Sequence, residues 1–168
     1  MVDIVLDTDI LADLLTQYYE NDLQFNGYFE SKERLNQNLV RKLNTILRWY
    51  YEEDDGSYPG LIVASSLAFV EIARKFDEII NQRITLEQFA AFIEQPPEWF
   101  LISAVDNTLL PYLCNLPREI SLPNGDVKPI EWADAIHIAT AMSRDEPWLL
   151  AVTDASIKAV EILKDKVV

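Results

Sequence analysis

Short apolar runs alternate along this chain with longer stretches in which apolar residues recur every three or four positions. That alternation of strand-like and helix-like segments predicts an α/β fold with a mostly parallel sheet. VDIVL at 2–6 reads as a buried strand, and 9–20 as a short helix. Ser31 is placed to cap a long helix reaching about Tyr51, with Leu35, Leu39, Leu43, Ile46, Leu47 and Tyr50 on one apolar face. The turn-rich EEDDGSYPG ends at Gly60, and strand 61–64 and helix 66–80 follow. The predicted helix 85–94 opens on a capping box, Thr85 with Gln88 three positions on. Pro96 and Pro97 break the pattern before strand 99–103, and Asp106 caps a helix to about Cys114. In 120–128, Asn124-Gly125 marks a hairpin turn. Helix 131–143, strand 148–152 and helix 154–165 complete the pattern. With no repeat or interdomain linker, 1–168 reads as one domain, and about 16–60 as a helical insertion suited to a lid or partner surface.

Four acids stand close behind separate apolar segments. Asp7 ends IVLD, Glu71 lies in SSLAFVEIARKF, Asp134 in EWADAIHIATAM, and Asp154 follows WLLAVT. The strand ends of a parallel sheet meet along one edge, so these carboxylates are expected to converge. At about 4 Å and an effective dielectric near 20, each like-charge pair costs roughly 4 kcal/mol. A hard divalent cation, Mg2+ or Mn2+, resolves that repulsion with oxygen ligands. Each acid also has a plainer role. Asp7 and Asp154 suit helix N-caps, Asp134 suits a first-turn position at the helix dipole, and Glu71 suits an exposed pair with Arg74. His137, the single histidine, reads as a packing or hydrogen-bonding residue.

Composition bounds these readings. With 49% hydrophobic residues in 168, a substantial core is expected, and no run approaches the length of a membrane span. Cys114 is the single cysteine and no basic region precedes VDIVL, so a cytoplasmic location without a cleaved signal is expected. Fourteen basic residues against 28 acidic ones give a net charge of −14, which repels a polyanion at long range. Bound metal ions would supply positive charge that this sum omits.

Taken in order, IVLDTDILADLL, SSLAFVEIARKF, EWADAIHIATAM and LAVTDAS resemble the motifs of PIN-domain ribonucleases, the family that includes VapC-type toxins. The resemblance implies a PIN-like three-layer sandwich, a mostly parallel central sheet flanked by helices. It also implies Mg2+- or Mn2+-dependent RNA hydrolysis, with Asp7, Glu71, Asp134 and Asp154 as the catalytic, metal-binding acids. In-line attack by metal-activated water would leave a 5′-phosphate and a 3′-hydroxyl. An antitoxin protein is the partner such a toxin would have. The chain departs from the pattern at Asp9, where the family usually has Asn, and at Thr153-Asp154, which the family separates by one residue. The stretch from Leu15 to Leu61 is also longer than in compact toxins.

Arg34, Arg41 and Arg48 recur every seven residues and share a stripe on the predicted long helix, a candidate RNA-binding rail with Thr153 as a further substrate contact. The stripe serves equally as aliphatic cover for the core or as a homodimer contact. Two other functions compete with the ribonuclease. One is a catalytically inactive interaction module on the same fold. The other is a haloacid-dehalogenase-like phosphatase using Asp7 as nucleophile, whose later Gly-Asp motif is matched only by Gly125-Asp126 in the turn.

Overall fold

A computed structural model describes residues 2–30, 35–52, 59–154, 156, 157, 160 and 163–168. In chain order these form β1 (Asp3–Leu6), α1 (Thr8–Glu20), α2 (Leu23–Asn26), α3 (Gln37–Glu52), β2 (Ile62–Ser65), α4 (Ser66–Arg74), α5 (Phe76–Ile80), α6 (Leu86–Glu94), β3 (Phe100–Ser103), α7 (Leu110–Asn115), β4 (Glu119–Ser121), β5 (Val127–Pro129), α8 (Trp132–Met142) and β6 (Trp148–Ala151). Four strands pair in the order β3-β2-β1-β6, all parallel, and β4-β5 form a separate antiparallel hairpin. Every residue of β1 and β2 is buried, and apart from Asp3 and Ser65 at their ends all are apolar. Alternate side chains enter opposite cores. Ile4, Leu6, Ile62 and Ala64 pack with Leu11, Leu43, Ile72 and Phe92, while Val5, Val63 and Leu150 pack with Ile138 and Ile157. The architecture is therefore α/β with helices on both sheet faces, compatible with a three-layer sandwich.

The strand order positions the site. After β1 the chain turns toward β2, and β6 returns on the other side of β1, so the sheet reverses direction of growth there. Open parallel sheets form their clefts at such switch points, outside the carboxyl ends of the strands. Asp7 directly follows β1, and Thr153 and Asp154 come just after β6.

Several boundaries differ from the sequence expectation. Helix α3 starts at Gln37, with Asn36 Oδ1 accepting from the Asn38 amide at 2.8 Å; Ser31 and Arg34 lie outside the described residues. The expected helix 66–80 divides at Lys75, whose φ of −123° leaves the helical range, and Phe76 turns to pack on Phe89 with ring centroids 5.5 Å apart. The helix expected from Asp106 begins as a 3₁₀ turn at Asn107–Leu109 before α7.

The largest difference is at 154–165. Residues 155, 158, 159, 161 and 162 of that expected helix lie outside the described residues; among the described ones, the amides of Ile157, Val160 and Leu163 bond the carbonyls of Asp154, Ile157 and Val160 at 3.2, 3.0 and 2.9 Å, three residues back where an α-helix bonds four back. The Ile157, Val160 and Leu163 side chains are all buried against the second core. Val167 then pairs beside Leu150 and covers part of the β6 edge. Among the described residues no helix is long and apolar enough to cross a membrane.

Candidate functional site: an acidic cleft at the strand ends

Asp7, Glu71, Asp134 and Asp154 line one cleft of about 700 Å³. Asp7 is its most enclosed acid, 8% exposed, and caps α1 by accepting from the Ile10 amide at 3.0 Å. Its other oxygen accepts from the Thr153 amide at 2.6 Å and the Thr153 hydroxyl at 2.9 Å. Burial raises the Asp7 carboxyl above its ordinary 3.8 despite those hydrogen bonds, and repulsion from Asp9 adds to the shift. The cap and the cleft-facing acid are one residue, so the two sequence readings of Asp7 coexist.

Glu71 is held by a polar chain through the protein interior. The Thr8 hydroxyl donates to Glu71 Oε2, and His137 Nε2 lies 3.4 Å from Thr8 Oγ1 and 3.6 Å from Glu71 Oε2. On its other side, His137 Nδ1 is 3.2 Å from Ser65 Oγ, which accepts from the Ala68 amide as the cap of α4. A consistent proton assignment follows. Ser65 donates to Nδ1, leaving the ring proton on Nε2 to face Thr8 and Glu71. His137 is 3% exposed, and burial lowers its pKa below the ordinary 6.5 although Glu71, Asp7 and Asp134 pull it upward. The histidine, expected to pack or to hydrogen-bond, does both, and its polar contacts support a cleft acid.

Asp134 stands in the first turn of α8 and accepts no hydrogen bond among the described residues. Its pKa is raised, chiefly by burial, with Asp154 and Asp7 adding repulsion while His137 and Lys128 pull it down. Asp154 is the opposite case. Lys128 from β5 forms an ion pair with Asp154 Oδ2, and the Ser156 amide and hydroxyl bond Oδ1 at 2.8 and 2.7 Å. The Lys128 contact is the main cause of an Asp154 pKa lowered to about 2.

The hairpin therefore has a chemical role. Gly125, at φ 89°, closes its turn through a 2.9 Å bond to the Leu122 carbonyl, and β5 carries Lys128 to the fourth acid. The dipeptide Asn124-Gly125 signalled that turn, but nothing in the sequence linked Lys128 to Asp154. Thr8 and the cleft-lining Lys75 and Trp132 were equally unsignalled, and Arg74 was weighed only as a partner for Glu71.

The tentative substrate residues separate. Thr153 reaches the cleft, but its hydroxyl is engaged with Asp7 and lies 3.2 Å from Asp9. Arg41 and Arg48 line a different groove beside Tyr28, which shares no residue with the acidic cleft. The reason is the course of α3. Asn36 and Leu39 border Asp9 and Thr153, whereas Arg41 and Lys42 border Val2 and Pro59 at the opposite end of β1.

The donor set is carboxylate oxygen, as a hard divalent cation requires, and Glu71 Oε1 and both Asp134 oxygens accept no hydrogen bond among the described residues. Among those residues, no three His, Cys, Asp or Glu side chains are already gathered closely enough to share an ion. The chemistry of the donors fits Mg2+ or Mn2+. No protein-family model, curated protein or solved structure matches this chain.

Proposed function

We propose that this chain is a Mg2+- or Mn2+-dependent endoribonuclease with a PIN-like fold. The observation that carries the reading is the meeting of Asp7, Glu71, Asp134 and Asp154, from four separate parts of the chain, in one cleft at the sheet's switch point. Asp7, Glu71 and Asp134 would hold the metal, and Asp154 would join them after exchanging its Lys128 contact. A bound cation supplies an activated water and neutralises charge on the leaving oxygen. The protein's share is placement. Thr153 and the Ile10 amide fix Asp7, while Thr8 and the Ser65-supported His137 fix Glu71. A toxin paired with an antitoxin is the biological setting implied by the PIN-like motifs.

The Lys128–Asp154 pair favours a second reading, an inactive interaction module in which lysine substitutes for the cation. Incubating the protein with single- and double-stranded RNA and DNA, with and without Mn2+, separates the two. Metal-dependent cleavage of RNA, abolished by Asp134→Asn, supports the ribonuclease. Neither cleavage nor Mn2+ binding by calorimetry would leave the interaction module.

A further inference from the structure

The acidic cleft has an outer lip of different chemistry. Its inner surface is formed by buried Asp7 and His137, but Val70 and Trp132 in its lining are 53% and 63% exposed. Arg74 and Lys75 line it as well, and both are exposed. Arg74, three positions after Glu71, closes α4 on the Glu71 side of the helix, and Lys75 follows at the break between α4 and α5. Among the described residues neither side chain makes an ion pair or hydrogen bond. Trp132 opens α8, ahead of Asp134 in the same turn. An indole left mostly in water at the mouth of a cleft, beside two unneutralised cations, is an arrangement that core packing does not require.

Charge decides where a polyanion could lie. The cleft lining contains Asp7, Asp9, Glu71, Glu78, Asp134 and Asp154 but only two basic residues, Arg74 and Lys75. Phosphates flanking a reacting bond would therefore be held on the α4 side, by those two residues. A strand held there has its bases free to reach the α8 side, where Trp132 offers a flat aromatic face. Stacking on such a face needs an unpaired base, because a base within a duplex has both faces covered by its neighbours.

Building on the ribonuclease reading, we propose that Trp132, Arg74 and Lys75 form a subsite for single-stranded RNA, with one base stacked on Trp132 and the adjoining phosphates on the two cations. The subsite selects unpaired RNA by stacking and does not read base identity. It also places strand binding at the cleft itself and not on the α3 arginines.

The test is fluorescence anisotropy with labelled single-stranded and hairpin-duplex RNA, in Mn2+, using full-length protein carrying Asp134→Asn to prevent cleavage. Trp132→Ala should weaken single-strand binding by about 10-fold or more and leave duplex binding unchanged, and Trp132→Phe should recover most of the loss. Arg74→Gln with Lys75→Gln should flatten the log–log salt dependence by about 1.4, two phosphate contacts on a single strand. Wild-type cleavage of RNA with unchanged affinity in folded Trp132→Ala would overturn the subsite and leave the ribonuclease intact. Equal losses in the Ala and Phe variants would overturn the stacking role. Loss of self-association by light scattering in Trp132→Ala, with RNA affinity unchanged, would make this lip a protein interface instead. A parent protein that neither binds nor cleaves RNA would overturn both readings.

Discussion

His137→Phe isolates the interior chain that supports Glu71. The two side chains are both flat rings, so the substitution leaves little cavity and chiefly deletes polar contacts at a site 3% exposed. Ser65 keeps the Ala68 amide as a donor to its oxygen, but its own proton loses Nδ1. Glu71 keeps Thr8. One stranded buried hydroxyl costs about 1–3 kcal/mol at pH 8. At about 2–4 °C per kcal/mol for a chain of this size, the melting temperature should fall by about 4–8 °C for a mid-range loss of about 2 kcal/mol. The pH dependence supplies the sharper check. Burial lowers the folded-state pKa of His137, so below its ordinary 6.5 the unfolded chain binds a proton that the folded chain refuses. The stabilisation is therefore complete above 6.5 and lost as pH falls toward the folded value. Phenylalanine has no such loss. Melts at pH 8, 7, 6 and 5 in EDTA should show the gap between wild type and variant closing on acidification. A gap that stayed constant or widened would refute the neutral buried imidazole and the network drawn around it.

Three further perturbations test other parts of the account. In EDTA, Asp134→Asn should raise the melting temperature by relieving an ionised, unbonded acid, whereas Asp7→Asn should lower it, at a cost of about 1–3 kcal/mol in stability, because an amide nitrogen cannot accept from the Thr153 amide. Equal shifts in calorimetric melts would contradict that distinction. Lys128→Met should move the Asp154 carboxyl from about 2 toward its ordinary 3.8 in a carbon-detected NMR titration. Since a depressed carboxyl stabilises above 3.8 and loses that effect as pH falls through about 2, this variant should also lose less stability across the same interval. Gly60→Ala should cost about 3 kcal/mol or more in urea melts, because φ is +116° and the new Cβ would stand 2.1 Å from the Val2 carbonyl oxygen. Gly125→Ala, at φ +89° with nothing within 4 Å, should cost only the backbone strain of about 1 kcal/mol.

The strands were legible because a strand buried on both faces is apolar along its middle, and IVL, IVA and WLLA have no alternation to confuse with an exposed edge. The Thr85–Gln88 capping box was legible for a similar reason, since both reciprocal bonds are local and both are made. The last segment was not. Apolar residues at 157, 160 and 163 satisfy an α-helical face and a 3₁₀ face alike, so the spacing that marked them as core residues could not choose between the two hydrogen-bond patterns. The break at Lys75 had no Gly or Pro to announce it and depends on aromatic neighbours distant in sequence. For the arginines, Arg41 and Arg48, seven residues apart, do line one groove of α3, while Arg34 lies outside the described residues. The spacing carried no information about which end of the sheet that groove reaches, and the helix takes Arg41 and Arg48 away from the acids.

Among the four acids, structural and chemical demands separate unevenly. Asp7 would be required at its position even without chemistry, since it caps α1 and ties β6 to β1 through Thr153. Asp154 is satisfied by Lys128 and Ser156, and Glu71 by Thr8 with His137 behind it. Asp134 alone accepts no hydrogen bond among the described residues, yet it is partly buried beside Asp7 and Asp154, and its carboxyl resists ionisation. The helix dipole at a first-turn position contributes about 0.3–1 kcal/mol, an effect available equally to an acid pointing into water. It does not account for an acid placed near Asp7 and Asp154, whose repulsion adds to the upward shift of its carboxyl. A cation shared with Asp7 and Glu71 would reverse the sign of those interactions. Of the four, Asp134 is thus the residue whose placement has least structural explanation, and it carries the most weight for a metal in this cleft.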